Sequence, residues 1–368
     1  MSIPPLRTAG RSIESIETPA LVVDLDQLDA NIATIAGMCR EKNVNWRPHA
    51  KCFRTPEIAR RTIAAGAIGI TVAKLGEAET MAAAQIDNIL IANQIVGKAK
   101  IARLIALNKN TDVTVAVDDI QNAESLAFAA RACGRNQAMV IELDLGLRRA
   151  GVMPGPAFQS LVEKVAKLEG GSLRGVMGWE GQTSDLTSKT QKAHEVTKAL
   201  TSLVDAAAVA RKQGVEIDIV SAGGTGTAEL VLAHPGITEV QIGRGVYSDV
   251  RARTKSGFNL PPSLWIHTTV TSRPNPSRII CDSGMKSMSN AFSDPELIGI
   301  GEVVKVLLSA EHAIIELAHP SAEPHIGSRL VFAVGYADTT VHLHDEMIGV
   351  RNGLIECSWP TLNRGCFK

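Results

Sequence analysis

Aromatic residues make up only 4% of the 368-residue chain. That scarcity argues against the stacking platforms that hold single-stranded nucleic acid. Charge of one sign is missing too: 38 basic side chains balance 38 acidic ones. A nucleic-acid or membrane-surface partner held by bulk charge is therefore not expected. No apolar run approaches the ~20 residues of a membrane span, and the opening MSIPPLRTAGRSIES has no apolar signal core. Cysteine pairs are absent as well. The six cysteines, at 39, 52, 133, 281, 357 and 366, form no CxxC, which points to free thiols in a reducing compartment rather than a disulfide framework. These absences together predict a soluble, cytoplasmic protein without nucleic-acid or membrane partners.

What is present is alternation. Short β-branched runs separated by Ala-rich amphipathic stretches are the pattern of strand-helix units around a parallel sheet. The runs begin at Asn45, Ala67, Asn88, Asp112, Ala138, Ser172, Glu216 and Thr238. Eight such units that close on themselves make an α/β TIM (β/α)8 barrel, with a doubly wound open sheet as the alternative. From about residue 256 the helical periodicity fades. LWIHTTVTS, SRIICDSG, EVVKVLLSA, AIIEL and SRLVFAVG read as strands, so a C-terminal all-β domain is expected. The predicted division is 26–255 for the barrel and 256–368 for the β domain, with the early strand at 18–25 joining the latter.

Chemistry in a barrel sits at the C-terminal ends of its strands. Lys51 follows the first strand, in RPHAKCFRTPEIA. A lysine desolvated in a barrel mouth exposes the neutral amine that attacks an aldehyde; a surface loop lysine is the plainer reading. The seventh run ends in SAGGTGT (Ser221, Gly223, Gly224, Thr225, Gly226) and the eighth in QIGRG (Gly243, Arg244). Loops after strands seven and eight are the common phosphate site of TIM barrels, and glycines let backbone N–H groups approach the anion. A lysine and two glycine turns together suggest a cofactor that carries both an aldehyde and a phosphate. Arg149, in LDLGLRRAGV, could hydrogen-bond such a cofactor or form a structural ion pair. His49, two residues before Lys51, lines the cofactor or packs in the core.

TPALVVDLDQLDANI, RPHAKCFRTPEIA, ITVAKLGEAE, LDLGLRRAGV, VSAGGTGT, CDSGMK, AEHAIIEL and HLHDEMIGVRNG stand in this order along the chain. In type and order they resemble the D-threonine aldolase / D-serine dehydratase family of fold-type III pyridoxal-phosphate (PLP) enzymes, which share an alanine-racemase-like barrel. The resemblance implies PLP bound to Lys51 as a Schiff base; Trp179 of GWEGQ, a cofactor-neighbour candidate, stands where relatives tend to have Tyr. The resemblance also implies a homodimer and a small amino-acid substrate. The implied activity is a lyase, aldolase or dehydratase, on a D-3-hydroxy amino acid such as D-threonine, D-serine or 3-hydroxy-D-aspartate.

One departure stands out. Metal-dependent relatives carry His-x-Asp or His-x-Cys shortly before the HD of the C-terminal domain. Here AVGYADTTVHLHD places Tyr336 at the histidine and Asp338 at the second ligand. A divalent metal (Mg, Mn or Zn) on Asp338 is thus implied by family and weakened by Tyr336. His342 and His344 share strand parity with Asp338, but on an extended strand His342 lies about 13 Å away. Tyr336 also suggests a racemase or epimerase, with Lys51 and Tyr336 as two bases; otherwise it simply packs in the β domain. A non-catalytic PLP-homeostasis protein is a more remote alternative, set against by the long C-terminal domain. Asp282 and Lys286 are candidates for the dimer interface, and Glu311 and His312 for substrate contact.

Overall fold

A computed structural model describes residues 9–368; residues 1–8, the start of the stretch searched for a signal core, lie outside them. The chain divides into two compact units. One comprises Ala33–Lys51, Pro56–Gly243 and Gly365–Lys368; the other comprises the residues through Ile32, Cys52–Thr55 and Arg244–Arg364.

In chain order the elements begin with β1 (Ala20–Asp24), α1 (Leu25–Glu41), β2 (Asn45–Trp46), α2 (Pro56–Ala64), β3 (Ile70–Val72), α3 (Leu75–Ala83), β4 (Ile89–Gln94), α4 (Lys98–Leu107) and β5 (Val113–Val117). There follow α5 (Ile120–Ala132), β6 (Gln137–Leu143), α6 (Pro156–Ala166), β7 (Gly171–Gly178), α7 (Lys189–Lys212), β8 (Ile219–Ala222), α8 (Ala228–Ala233), β9 (Glu239–Val240) and α9 (Val250–Thr254). The remainder is β10 (Leu264–Asn275), β11 (Arg278–Cys281), β12 (Glu296–Ile298), β13 (Val303–Leu308), β14 (Ala313–Leu317), β15 (Arg329–Ala333), α10 (Ala337–Thr340), β16 (Glu346–Arg351) and β17 (Leu354–Pro360).

The first unit is the barrel. Its eight parallel strands run in the order β2-β9-β8-β7-β6-β5-β4-β3. The ring closes through a parallel bridge between His49 and Thr71, with Ile68 N–H donating to Trp46 O at 2.9 Å. Strands buried on both faces need continuous apolar runs, and VTVAV of β5 is buried at every position. Leu90, Ala116, Val140 and Met177, one from each of four successive strands, pack as a buried cluster. The helices follow from local chemistry. Asp119 caps α5 by accepting from the N–H groups of Gln121 and Asn122. Ala123, Leu126, Ala127 and Ala130 form its buried stripe. Ser188 caps α7 in the same way, and Gly214, at φ +82°, follows its end.

The second unit is a mostly antiparallel sheet in the order β13-β14-β11-β10-β1-β16-β17, with β15 joining β10 and β12. β1 lies inside it, antiparallel to β10 and parallel to β16. Along β10 buried and partly exposed residues alternate from Leu264 to Val270, the period of a half-buried strand. The sheet is larger than the sequence predicts. β12, β16 and β17 add to the five expected C-terminal strands. The extended reading of residues 336–344 also fails: this stretch forms α10 and a 3-10 turn, Val341–Leu343. Its first helical N–H, on Ala337, donates to the buried carboxylate of Asp249 at 2.8 Å. That remote cap turns the chain into a helix where strand parity would have been read. Among the described residues, no helix is long and apolar enough to cross a membrane.

Candidate active site

The loops that leave the C-terminal ends of the barrel strands bring most of the expected residues together. After β2 the chain enters a 3-10 turn, Ala50–Cys52, that carries half-buried Lys51. Its Nζ stands 5.6 Å from the centroid of the Trp179 ring, which follows β7. The guanidinium of Arg149 stands 5.3 Å from the same ring. Both distances lie within cation–π range, so one indole serves two cations. The backbone N–H of Lys51 donates to His49 Nδ1 at 3.4 Å. In that contact Nδ1 is the acceptor nitrogen.

Arg149 is presented by a loop that folds on Asp144. Oδ1 of Asp144 accepts from the N–H groups of Gly146 and Arg148 at 2.9 and 3.0 Å. Gly151, at φ +106°, passes so close that a Cβ would meet Asp144 N and Leu143 C at 2.5 Å. Arg149 also faces Glu142 at 3.7 Å, and Gln94 donates to the other Glu142 oxygen at 2.6 Å. Burial pushes the Glu142 carboxyl above its usual range, against the Gln94 hydrogen bond and the Arg149 charge. The two sequence readings of Arg149 are therefore compatible in geometry: it belongs to an ion pair and sits beside the lysine's aromatic neighbour.

The glycine turns have a support that sequence reading missed. Glu180, one residue past Trp179, is fully buried. Its carboxylate accepts from Gly223 N–H at 3.3 Å and from the Thr227 hydroxyl. Burial pushes this carboxyl up, opposed by those hydrogen bonds. Gly223 needs its φ of +79° for the turn, and a Cβ there would press on Val231 at 2.9 Å. At Gly224 a Cβ would meet only Trp179 Nε1, at 3.6 Å. Thr225 and Gly226 lie in the 3-10 turn that follows, Thr225–Thr227. Ser221 is buried and accepts from Gln241 Nε2 at 2.9 Å, which ties the two glycine-rich loops to each other. Gly243 packs on His49, whose carbonyl oxygen would lie 2.2 Å from an added Cβ. The only sequence signal for Glu180 was its place just after a strand end; a local pattern cannot show that a loop beyond the next strand closes over it.

The other expected residues gather in the second unit. The guanidinium of Arg244 donates to Asp249 Oδ1 at 2.7 Å and lies 5.0 Å from the Tyr336 ring. Arg251 lies 5.7 Å from that ring, and Phe292 meets it edge-on at 5.3 Å. The Tyr336 hydroxyl donates to Asp338 Oδ2 at 3.0 Å. Burial and the Asp338 charge hold the phenol well above its usual range. Arg244, expected with the phosphate loops, is thus brought together with Tyr336 and Asp338. Among the described residues no group of three His, Cys, Asp or Glu side chains is arranged to hold a metal ion. Asp282 accepts hydrogen bonds from Thr18, Thr268 and Thr269 within the sheet unit. Lys286 pairs with Glu311 at 2.6 Å on the surface.

Comparison with known proteins adds a family to this geometry. Residues 23–250 match the family profile described as alanine racemase, N-terminal domain, and residues 263–350 match the putative serine dehydratase domain. A D-threonine aldolase of Arthrobacter sp is 30% identical over 368 residues, 99% of this chain and 97% of its own. The crystal structure of D-threonine aldolase from Filomicrobium marinum superposes with a TM-score of 0.94 at 29% identity, covering 99% of this chain and 100% of that one. A D-threo-3-hydroxyaspartate dehydratase, solved as a cysteine-to-alanine variant in the metal-free form, has a TM-score of 0.85 at 25% identity, covering 95% of this chain and 98% of its own. The chain belongs to the D-threonine aldolase / D-serine dehydratase-like family of fold-type III PLP proteins, built on the alanine racemase N-terminal barrel.

Proposed function

We propose that this protein is a PLP-dependent lyase acting on a small D-3-hydroxy amino acid such as D-threonine, D-serine or 3-hydroxy-D-aspartate. The observation that carries the reading is the Lys51 amine at a barrel strand end, 5.6 Å from the Trp179 ring that Arg149 shares, with two glycine turns on the neighbouring loops.

The residues present fit the cofactor. Lys51 offers a primary amine for an aldehyde. Gly224 leaves open space beside Trp179 Nε1, where a larger residue would crowd a phosphate. Arg149 offers a planar donor fork for a ring oxygen. When bound, PLP supplies an electron sink for negative charge that develops on the substrate's α-carbon. The chain's own part is binding and proton handling. Glu180 fixes Gly223 and Thr227, so the phosphate turn is formed in advance. Trp179 provides a flat apolar wall beside the lysine. The Lys51 amine would hold the cofactor, and its Nζ is placed to carry a proton.

Aldolase chemistry yields glycine and an aldehyde; dehydratase chemistry yields an oxo acid and ammonia. A racemase with Tyr336 as second base is the lesser reading. The phenol donates its hydrogen to Asp338, and burial opposes its ionisation. The family resemblance supports a homodimer, which light scattering on the purified protein tests. Six free thiols suit a reducing compartment and support a cytoplasmic location.

The deciding experiment incubates the PLP-reconstituted protein with D- and L-threonine, D- and L-serine and 3-hydroxy-D-aspartate, with products read by mass spectrometry. Glycine or ammonia release from D-substrates is expected. Lys51→Ala abolishes both the cofactor's visible absorbance and the products. Interconversion of enantiomers without new products would replace the lyase by a racemase.

A further inference from the structure

The metal implied by family does not suit the residues at its position. A divalent ion bound by protein needs several imidazole, thiolate or carboxylate donors around one point. Asp338 is a single carboxylate, and its Oδ2 accepts the Tyr336 hydroxyl hydrogen at 3.0 Å. His342, the next imidazole along the chain, lies on the following 3-10 turn, Val341–Leu343, and among the described residues it makes no group of three His, Cys, Asp or Glu donors with Asp338. Two cations already flank the segment: the guanidinium groups of Arg244 and Arg251, at 5.0 and 5.7 Å from the Tyr336 ring.

Arg244 is not a loose surface cation. It is 13% exposed, and Asp249, which is fully buried, accepts from its Nη1 at 2.7 Å. The other oxygen of Asp249 accepts Ala337 N–H at 2.8 Å and so caps the helix that carries Asp338. Moving the guanidinium aside to admit an ion would leave a buried carboxylate unpaired beside that helix.

We propose that the Tyr336–Asp338 segment takes up no divalent metal ion and that the Arg244 guanidinium is the cation beside Asp338 in its place. The corollary, that turnover needs no added metal, rests on the lyase reading; the binding statement does not.

The test is metal uptake by the full chain after exhaustive EDTA dialysis, with Mn2+ and Zn2+ as separate probes in equilibrium dialysis and calorimetry, without substrate. The wild type is expected to take up neither stoichiometrically. Tyr336→His, which restores a His-x-Asp pair, is expected to bind at least about tenfold more tightly, and adding Asp338→Ala removes the gain. One ion per wild-type chain, lost in Asp338→Ala, overturns the proposal, and the wild-type measurement stands even if a variant fails to fold. In the activity arm, product formation unchanged by EDTA is expected. Loss in EDTA with recovery on Mn2+ overturns the corollary. A chain that forms no product from any D-3-hydroxy amino acid refutes the lyase reading alone, since uptake is read without substrate.

Discussion

Replacing Gly243 by alanine puts a methyl carbon 2.2 Å from the carbonyl oxygen of His49 and 3.0 Å from its carbonyl carbon and amide nitrogen. Ordinary contact begins at 3.4 Å, so one backbone must retreat by about 1 Å. Neither side is a flexible side chain: Gly243 follows β9, and His49 bridges to Thr71 where the barrel closes. His49 also receives the Lys51 N–H, so its retreat moves the lysine. Overpacking of this kind costs about 1–3 kcal/mol, which lowers Tm by several degrees in a domain of this size. A displacement near 1 Å at the reacting amine lowers turnover by about 10²-fold. The assay pairs thermal unfolding of the cofactor-free protein with PLP titration by absorbance and with kcat. Gly224→Ala is the control: its Cβ meets Trp179 Nε1 at an ordinary 3.6 Å, and Tm should hold within about a degree. Gly243→Ala with wild-type Tm, PLP affinity and kcat would refute the claim that this glycine is required by His49.

Two pH effects follow from buried groups. Burial raises the Glu180 carboxyl above its usual value, so the folded state holds the proton more tightly than the unfolded chain. The stability it contributes is complete below the ordinary carboxyl range and is lost as pH rises towards the raised value. Glu180→Gln should flatten that decline in denaturant unfolding from pH 4 to 8; parallel curves for variant and wild type would show that Glu180 does not carry it. His267 goes the other way: burial and the Arg329 charge lower its imidazole from 6.5 to about 4. Its contribution is complete above the ordinary imidazole value and is lost as pH falls towards about 4, amounting to about 3 kcal/mol. His267→Gln should remove most of that acid-side loss, and an unaltered slope between pH 7 and 4 would count against it.

The barrel was legible because its signals are local. VTVAV needs no partner to look like a doubly covered strand, and Asp119 or Ser188 before an Ala-rich stripe marks a helix start without reference to anything distant. Lys51 was legible for the same reason: its position relative to one strand end gave it a place in the barrel mouth. The β16–β17 hairpin also carries a local signal. Asn352-Gly353 between two apolar runs, both at positive φ, is a strong short-range hairpin signal.

Glu180 and the Tyr336 segment were not legible, and for a common physical cause. Each takes its conformation or its burial from a partner far along the chain. Glu180 would pass for a surface acid until Gly223 and Thr227, 43 and 47 residues on, bond to it. Ala337 begins a helix because Asp249, 88 residues earlier, accepts its N–H. An isolated reading of ADTTVHLHD has no access to that acceptor, and strand parity is a fair guess without it. Chemistry-bearing residues therefore fall into two groups here. Those at strand ends and in glycine turns are placed by their own neighbours in sequence. Glu180, behind the glycine turn, and Asp249, beside Arg244, are buried carboxylates whose hydrogen bonds form only once remote N–H donors have arrived. Glu180 and Asp249, buried acids that accept backbone N–H groups across long sequence separations, both touch the loops that the local signals single out.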